Sequence, residues 1–111
     1  MRVFIIPMRV RSMDNSIMPK GASSAYVSCF STGNDFMEAS EKALESLVND
    51  GIHSEEILQP IYEMDSNEWS HFISEQWPEQ KSSLITQTEF ENAMKKGEVV
   101  YGPFGLYTES L

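Results

Sequence analysis

The seventeen-residue stretch DFMEASEKALESLVNDG, residues 35–51, constrains this chain more than any other part of it. Phe36, Ala39, Ser40, Ala43, Leu44, Leu47 and Val48 recur at the i, i+3, i+4, i+7 spacing of one buried helical stripe. Asp35 with Glu38 three residues later is an acidic variant of the capping box. Gly51 can take the left-handed stop, with Ile52 folding back on Leu47. A helix over 35–50 with one apolar stripe needs an apolar surface to lie on, and the flanking segments read as the strands that supply it.

Residues 2–12 alternate as a strand, with Phe4, Ile6, Met8 and Val10 on one face and Val3, Ile5, Arg9 and Arg11 on the other. Pro7 removes a ladder donor, which places this strand at an edge or marks a bulge. The segment SMDNSIMPKGASS reads as a loop, and residues 25–31 as a second strand antiparallel to the first. After the helix, residues 55–64 resume extended structure, with Pro60 again pointing to an edge or kink. Met64 stands where it can staple against Trp69, and a second helix is expected over 66–76, capped by Asp65 and Glu68. A third is expected over 87–96, with Thr86 and Glu89 or Thr88 and Glu91 as capping boxes and Gly97 as its stop. Residues 98–101 make a last strand, and YGPFGLY reads as a turn with two aromatic anchors.

The order β-β-α-β-α-α-β gives an α+β fold, nearest to a ferredoxin-like two-layer sandwich: a mostly antiparallel sheet with helices on one face. A right-handed crossover through the first helix would set the strands at Tyr26 and Tyr62 parallel to each other. With 111 residues this is a single domain, 1–111, large enough for one core. The segments AYVSCF, LVNDG and TEFENAMKKGEVVYG, within residues 24–101, resemble those of a group of small uncharacterised bacterial α/β proteins. In that group a YV-x-C strand leads into an Ala- and Glu-rich helix, and a short helix precedes a Val-rich strand. The resemblance implies a fold and no chemistry.

Charge and residue types exclude more than they assign. The net charge is −9, and the first twenty residues hold four bases against Asp14 alone, leaving four lysines against sixteen acids in the other 91. So acidic a body repels a phosphate backbone, which argues against nucleic acid and for a basic partner. The single cysteine, Cys29, allows no internal disulfide and fits a reducing compartment. The apolar run Val3–Met8 is too short for a secretory signal, and no run approaches the ~20 residues that span a bilayer, so a cytoplasmic location is expected.

Cys29 ends a strand ahead of a small-residue loop and a helix, which is the layout of a thiol phosphatase. That chemistry needs a cation six residues on, and Asp35 stands there, with Glu38 and Glu41 in the following turns. Acids at that place repel phosphate and raise the thiol pKa, so Cys29 reads as a small packed hydrophobe. His53, expected on a surface turn, and His71, in the second helix, are not placed by their spacing to activate it. His71 and Glu75 share a helical face, but no four-ligand set and no HExxH helix is present, so neither metal nor cofactor is expected. No phosphate-binding glycine motif occurs. Arg9 and Arg11, ~7 Å apart on one strand face, could form a small anion site, or could pair with neighbouring acids.

The richest candidate is NEWSHFISEQWPEQ. Trp69, Phe72 and Trp77 form an aromatic stripe, and Glu68, Glu75 and Glu79 rim it, which is the composition of a protein interface as well as of a core. The leading expectation is therefore a non-enzymatic protein-binding module, for instance an immunity-type inhibitor of a basic partner. Two rivals stand beside it: a small-ligand binder or enzyme with its site near Cys29, Arg9 and Arg11, and a self-associating module, a homodimer.

Overall fold

The computed structural model describes residues 1–12 and 24–107, so the expected loop between the first two strands lies outside the described residues. In chain order the elements are β1 (Arg2–Ser12), β2 (Ser24–Ser31), α1 (Phe36–Asn49), β3 (Ile52–Ile57), β4 (Tyr62–Asp65), α2 (Trp69–Gln76), α3 (Gln87–Lys95), β5 (Val100–Tyr101) and β6 (Gly105–Tyr107), an α+β arrangement. Every strand pairing among the described residues is antiparallel. The sheet order is β3-β1-β2-β5, with β4 pairing β1 beyond the end of β3 and β6 pairing β2. β2 and β3 thus run in the same direction, as expected, with β1 between them.

β1 is buried on both of its faces. Phe4, Ile6, Met8 and Val10 join Ala25, Val27 and Cys29 of β2 against Ala39, Ala43 and Leu47 of α1. Val3 and Ile5 point the other way and join Phe30, Met64, Trp69, Ile73, Phe90, Ala93 and Met94. Because side chains alternate along a strand, these are two cores on opposite sides of one sheet. The helices therefore do not gather on one face. α1 covers one side and α2 with α3 the other, and the expected two-layer sandwich gives way to three layers at this end. The physical reason lies in β1 itself: with Val3 and Ile5 apolar as well as the even positions, one layer of helices would leave half the strand wet.

Pro7 also has a different explanation from the one expected, because β1 is central. The carbonyl of Pro7 accepts from the Leu58 N–H at 2.8 Å. A strand residue aims its N–H and C=O to the same side, so the missing donor faces the break where β3 has ended and β4 has not begun. The proline sits where the ladder is already interrupted. The expected strand over 55–64 is divided there, and His53, expected on a turn, lies exposed within β3. β3 carries a bulge opposite Arg9 and Val10 and exposes Glu55 and Glu56. On the opposite margin, Gly102-Pro103-Phe104 separate the short strands β5 and β6.

Local signals set the helix ends as anticipated. Asp35 accepts from the Glu38 N–H at 2.9 Å, and Gly51 and Gly97 both stand at φ 74° where their helices stop. Thr86 and Glu89 cap α3 reciprocally, at 3.2 and 3.0 Å. Asp65 caps a 3-10 turn, Ser66–Glu68, that leads into α2, so the regular helix begins only at Trp69. The stripe of α1 is narrower than its spacing suggests, since Phe36 and Val48 are exposed while the small Ala39, Ser40 and Ala43 make the close contact.

Phe30 is the hub of the second core. Its ring meets Trp69, Phe72, Trp77 and Phe90 edge-on, at 5.0, 5.6, 6.2 and 5.9 Å. Phe30→Ala should cost ~3–5 kcal/mol in urea unfolding, since it removes four ring contacts and opens a cavity. A loss below ~1 kcal/mol would remove Phe30 from that role.

Candidate functional site

Among the described residues the second core covers only half of its sheet face. Past Ile5 the same side of β1 presents Pro7, Arg9 and Arg11, and the same side of β2 presents Ser28, Tyr26 and Ser24. α2 ends before this polar half begins, and the step between covered and open sheet is a cleft of about 370 Å³. Its floor is Ile5, Pro7 and Ser28. Phe72, Gln76 and Trp77 form one wall, and Tyr62, Met64 and Glu68 form the other, joined by the backbone of Glu63.

Trp77 shapes the cleft because it has left the helix. Its backbone φ of −136° ends α2, while its N–H still bonds the Ile73 carbonyl at 2.9 Å. The ring folds down over the sheet against Phe30 and Phe72 and is seated on Gly102, where an added Cβ would come within 2.7 Å of its Cη2 atom. On the far side of Trp77 a second hollow of about 190 Å³ continues over Tyr26, Leu58, Pro103 and Gly105, sharing Pro7, Ser28 and Trp77 with the first. Larger hollows, of about 570 Å³ beside Ser82 and about 630 Å³ beside Phe36, are more open to solvent.

Among the described residues no cation lines the cleft. Glu63 stands opposite Phe4 in the ladder, so its carboxylate turns to the α1 face, where Arg2 meets it at 3.5 Å. Glu68 has no basic partner among the described residues. The cleft thus joins a largely apolar floor and aromatic walls to one unpaired carboxylate, that of Glu68.

Of the expected interface residues, the structure brings Glu68, Phe72 and Trp77 together here. Trp69 belongs to the core: it is fully buried, stacked on Phe90 at 4.2 Å, with its indole N–H on the Ile85 carbonyl at 2.9 Å. Glu75 turns to His71 at 3.1 Å, and Glu79 is exposed beyond the helix. Pro7, Ser28 and Tyr62 were not expected in this site. The signal that finds them is strand register, since Ile5 pairs with both Phe30 and Tyr62.

Arg9 and Arg11 do share a face, on the open half-sheet. Arg9 is held by Glu56 of β3 at 3.2 Å, and Arg11 stands opposite His53, both exposed. Cys29 faces the other way, under α1, fully buried. The sheet itself separates the thiol from the two arginines, and no site joins them. Burial pushes the Cys29 thiol up to about 12. The acids Asp35, Glu38 and Glu41, expected to raise it, lie exposed on the surface and are not the cause. Tyr101, beside Cys29 in the ladder, puts its hydroxyl 2.6 Å from both Asp50 and Ser46, and burial, followed by the bond to Asp50, holds that phenol above its ordinary range.

Among the described residues no three His, Cys, Asp or Glu side chains gather as metal ligands would, and no helix is long and apolar enough to cross a membrane. No family model, curated protein or solved structure matches the chain.

Two outcomes follow. At pH 8 the folded protein should hold about a thousandfold less Cys29 thiolate than the unfolded chain, given ionisation near 12 against 9.0, and a thiol reagent should label it correspondingly slowly. Because the folded state keeps this proton after the unfolded state has lost it, stability should fall as pH rises above 9, and Cys29→Ala should flatten that fall. Gly102→Ala should displace Trp77 and cost ~1–3 kcal/mol. The Trp77 side-chain resonances should move while those of Trp69 stay, and unmoved Trp77 resonances would mean the ring is not seated there.

Proposed function

We propose that the protein acts by binding another protein through the cleft beside α2, and that the partner surface is basic. One observation carries the reading: Phe72, Trp77 and Tyr62, with Glu68 beside them, line one concave site on a chain of net charge −9. Aromatic anchors in a pocket with a charged rim are the usual energetic centre of a protein interface. The surplus of acids around it adds long-range attraction for a basic partner. An immunity-type inhibitor, working in the cytoplasm and shielding a basic enzyme, is the concrete version. Thiol chemistry at a site joining Cys29 to Arg9 and Arg11 is disfavoured by the burial of Cys29 under α1. A homodimer through the sheet margin is disfavoured by Glu55 and Glu56 on β3, which would meet their own copies.

The test is affinity capture at low salt, comparing the wild-type protein with the cleft variant Glu68→Lys and with Glu41→Lys on α1. A basic protein should be retained by the wild type and the α1 variant and lost by the cleft variant. Trp77→Ala should weaken that complex by ~2 kcal/mol, about thirtyfold in Kd. Equal retention by all variants would place the binding surface elsewhere, and failure to retain any basic protein would count against the reading as a whole.

A further inference from the structure

Resting on that reading, we infer that the cleft and its neighbouring hollow form one track for a proline-rich segment in the extended left-handed polyproline conformation, bearing a lysine or arginine at the Glu68 end. The two hollows adjoin on one sheet face, both lined by Pro7, Ser28 and Trp77. Tyr62 and Phe72 complete the first slot, and Tyr26 and Pro103 the second. Slots walled by flat rings accept pyrrolidine rings, and a polyproline segment arrives already extended, so little conformational entropy is lost on docking.

The polar groups select the same ligand. A proline-rich backbone offers carbonyls and few N–H groups, so its receptor must present donors. Among the described residues no acceptor takes the indole N–H of Trp77, and the Ser28 hydroxyl and the Gln76 amide on the track likewise have no bonded partner. A β-strand ligand would need a free sheet edge, whereas the floor here is Pro7 and Ser28 on the two interior strands, paired to each other. A helical ligand is ~10 Å wide, too broad for hollows of about 370 and 190 Å³. Of the two hollows Glu68 borders only the first, which fixes where a flanking basic residue goes.

The experiment is a titration of the ¹⁵N-labelled full chain with three synthetic twelve-residue peptides of equal charge: a proline-rich peptide with one flanking arginine, the same peptide with every proline replaced by alanine, and an amphipathic helix-forming peptide. The proline-rich peptide should shift the Trp77 indole signal and leave the buried, bonded indole of Trp69 in place. Its Kd should rise at least tenfold on proline-to-alanine replacement, and likewise on Glu68→Lys. Trp77→Phe, which keeps a ring but removes the donor, should weaken it less than Trp77→Ala. If the alanine or helical peptide binds at Trp77 as tightly as the proline-rich one, the polyproline assignment is overturned while the protein-binding reading stands. If no peptide moves Trp77 although the Glu68→Lys variant still loses its captured partner, the assignment is again overturned alone. If the cleft variant also retains its partner, both fall.

Discussion

A strand that is apolar on both faces must be covered twice, and β1 places that demand on everything else. Its even positions call for α1 and its first odd positions for α2 and α3. Among the described residues five other strands of very unequal length are organised around it, two segments pairing it on one flank and one long strand on the other. Burying such a strand satisfies its backbone in the ladders and removes apolar surface on both sides at once, the most favourable use of a short run of branched residues.

The same strand stops making that demand halfway along. From Pro7 onward its odd positions become Pro7, Arg9 and Arg11, and the second layer of helix has nothing further to cover. The cleft is the seam where that cover ends. Its walls come from α2 and β4, but its location is written in one residue-by-residue change of character in β1. Trp69 and Trp77 show how sharp the seam is. They lie eight residues apart in a short helical segment, one stacked in the core and the other folded over a glycine at the lip.

Much of the local structure was legible in the sequence, because local structure is encoded locally. The Asp35 and Thr86 caps, the Gly51 and Gly97 stops and the alternation of β1 each depend on residues within a few positions of one another. What depended on pairing was not legible. Pro7 reads as an edge residue until β3 and β4 are known to part beside it, and Val3 with Ile5 reads as a minor face until Trp69 and Phe90 are seen covering it. Cys29 packs as a small hydrophobe, as expected, but burial under α1, rather than the acids close by in sequence, raises its thiol pKa. Half the cleft was visible as an aromatic and acidic helix. The floor was hidden because Pro7, Ser28 and Tyr62 meet only through register.

The sheet's two outer margins bear on how such a chain can be used. One is bent by a bulge and fringed with Glu55 and Glu56, and the other is cut in two by Gly102-Pro103-Phe104. Neither offers a long, straight, uncharged template on which further copies would stack into fibrils. A molecule whose sheet margins resist stacking can reach high concentration without precipitating.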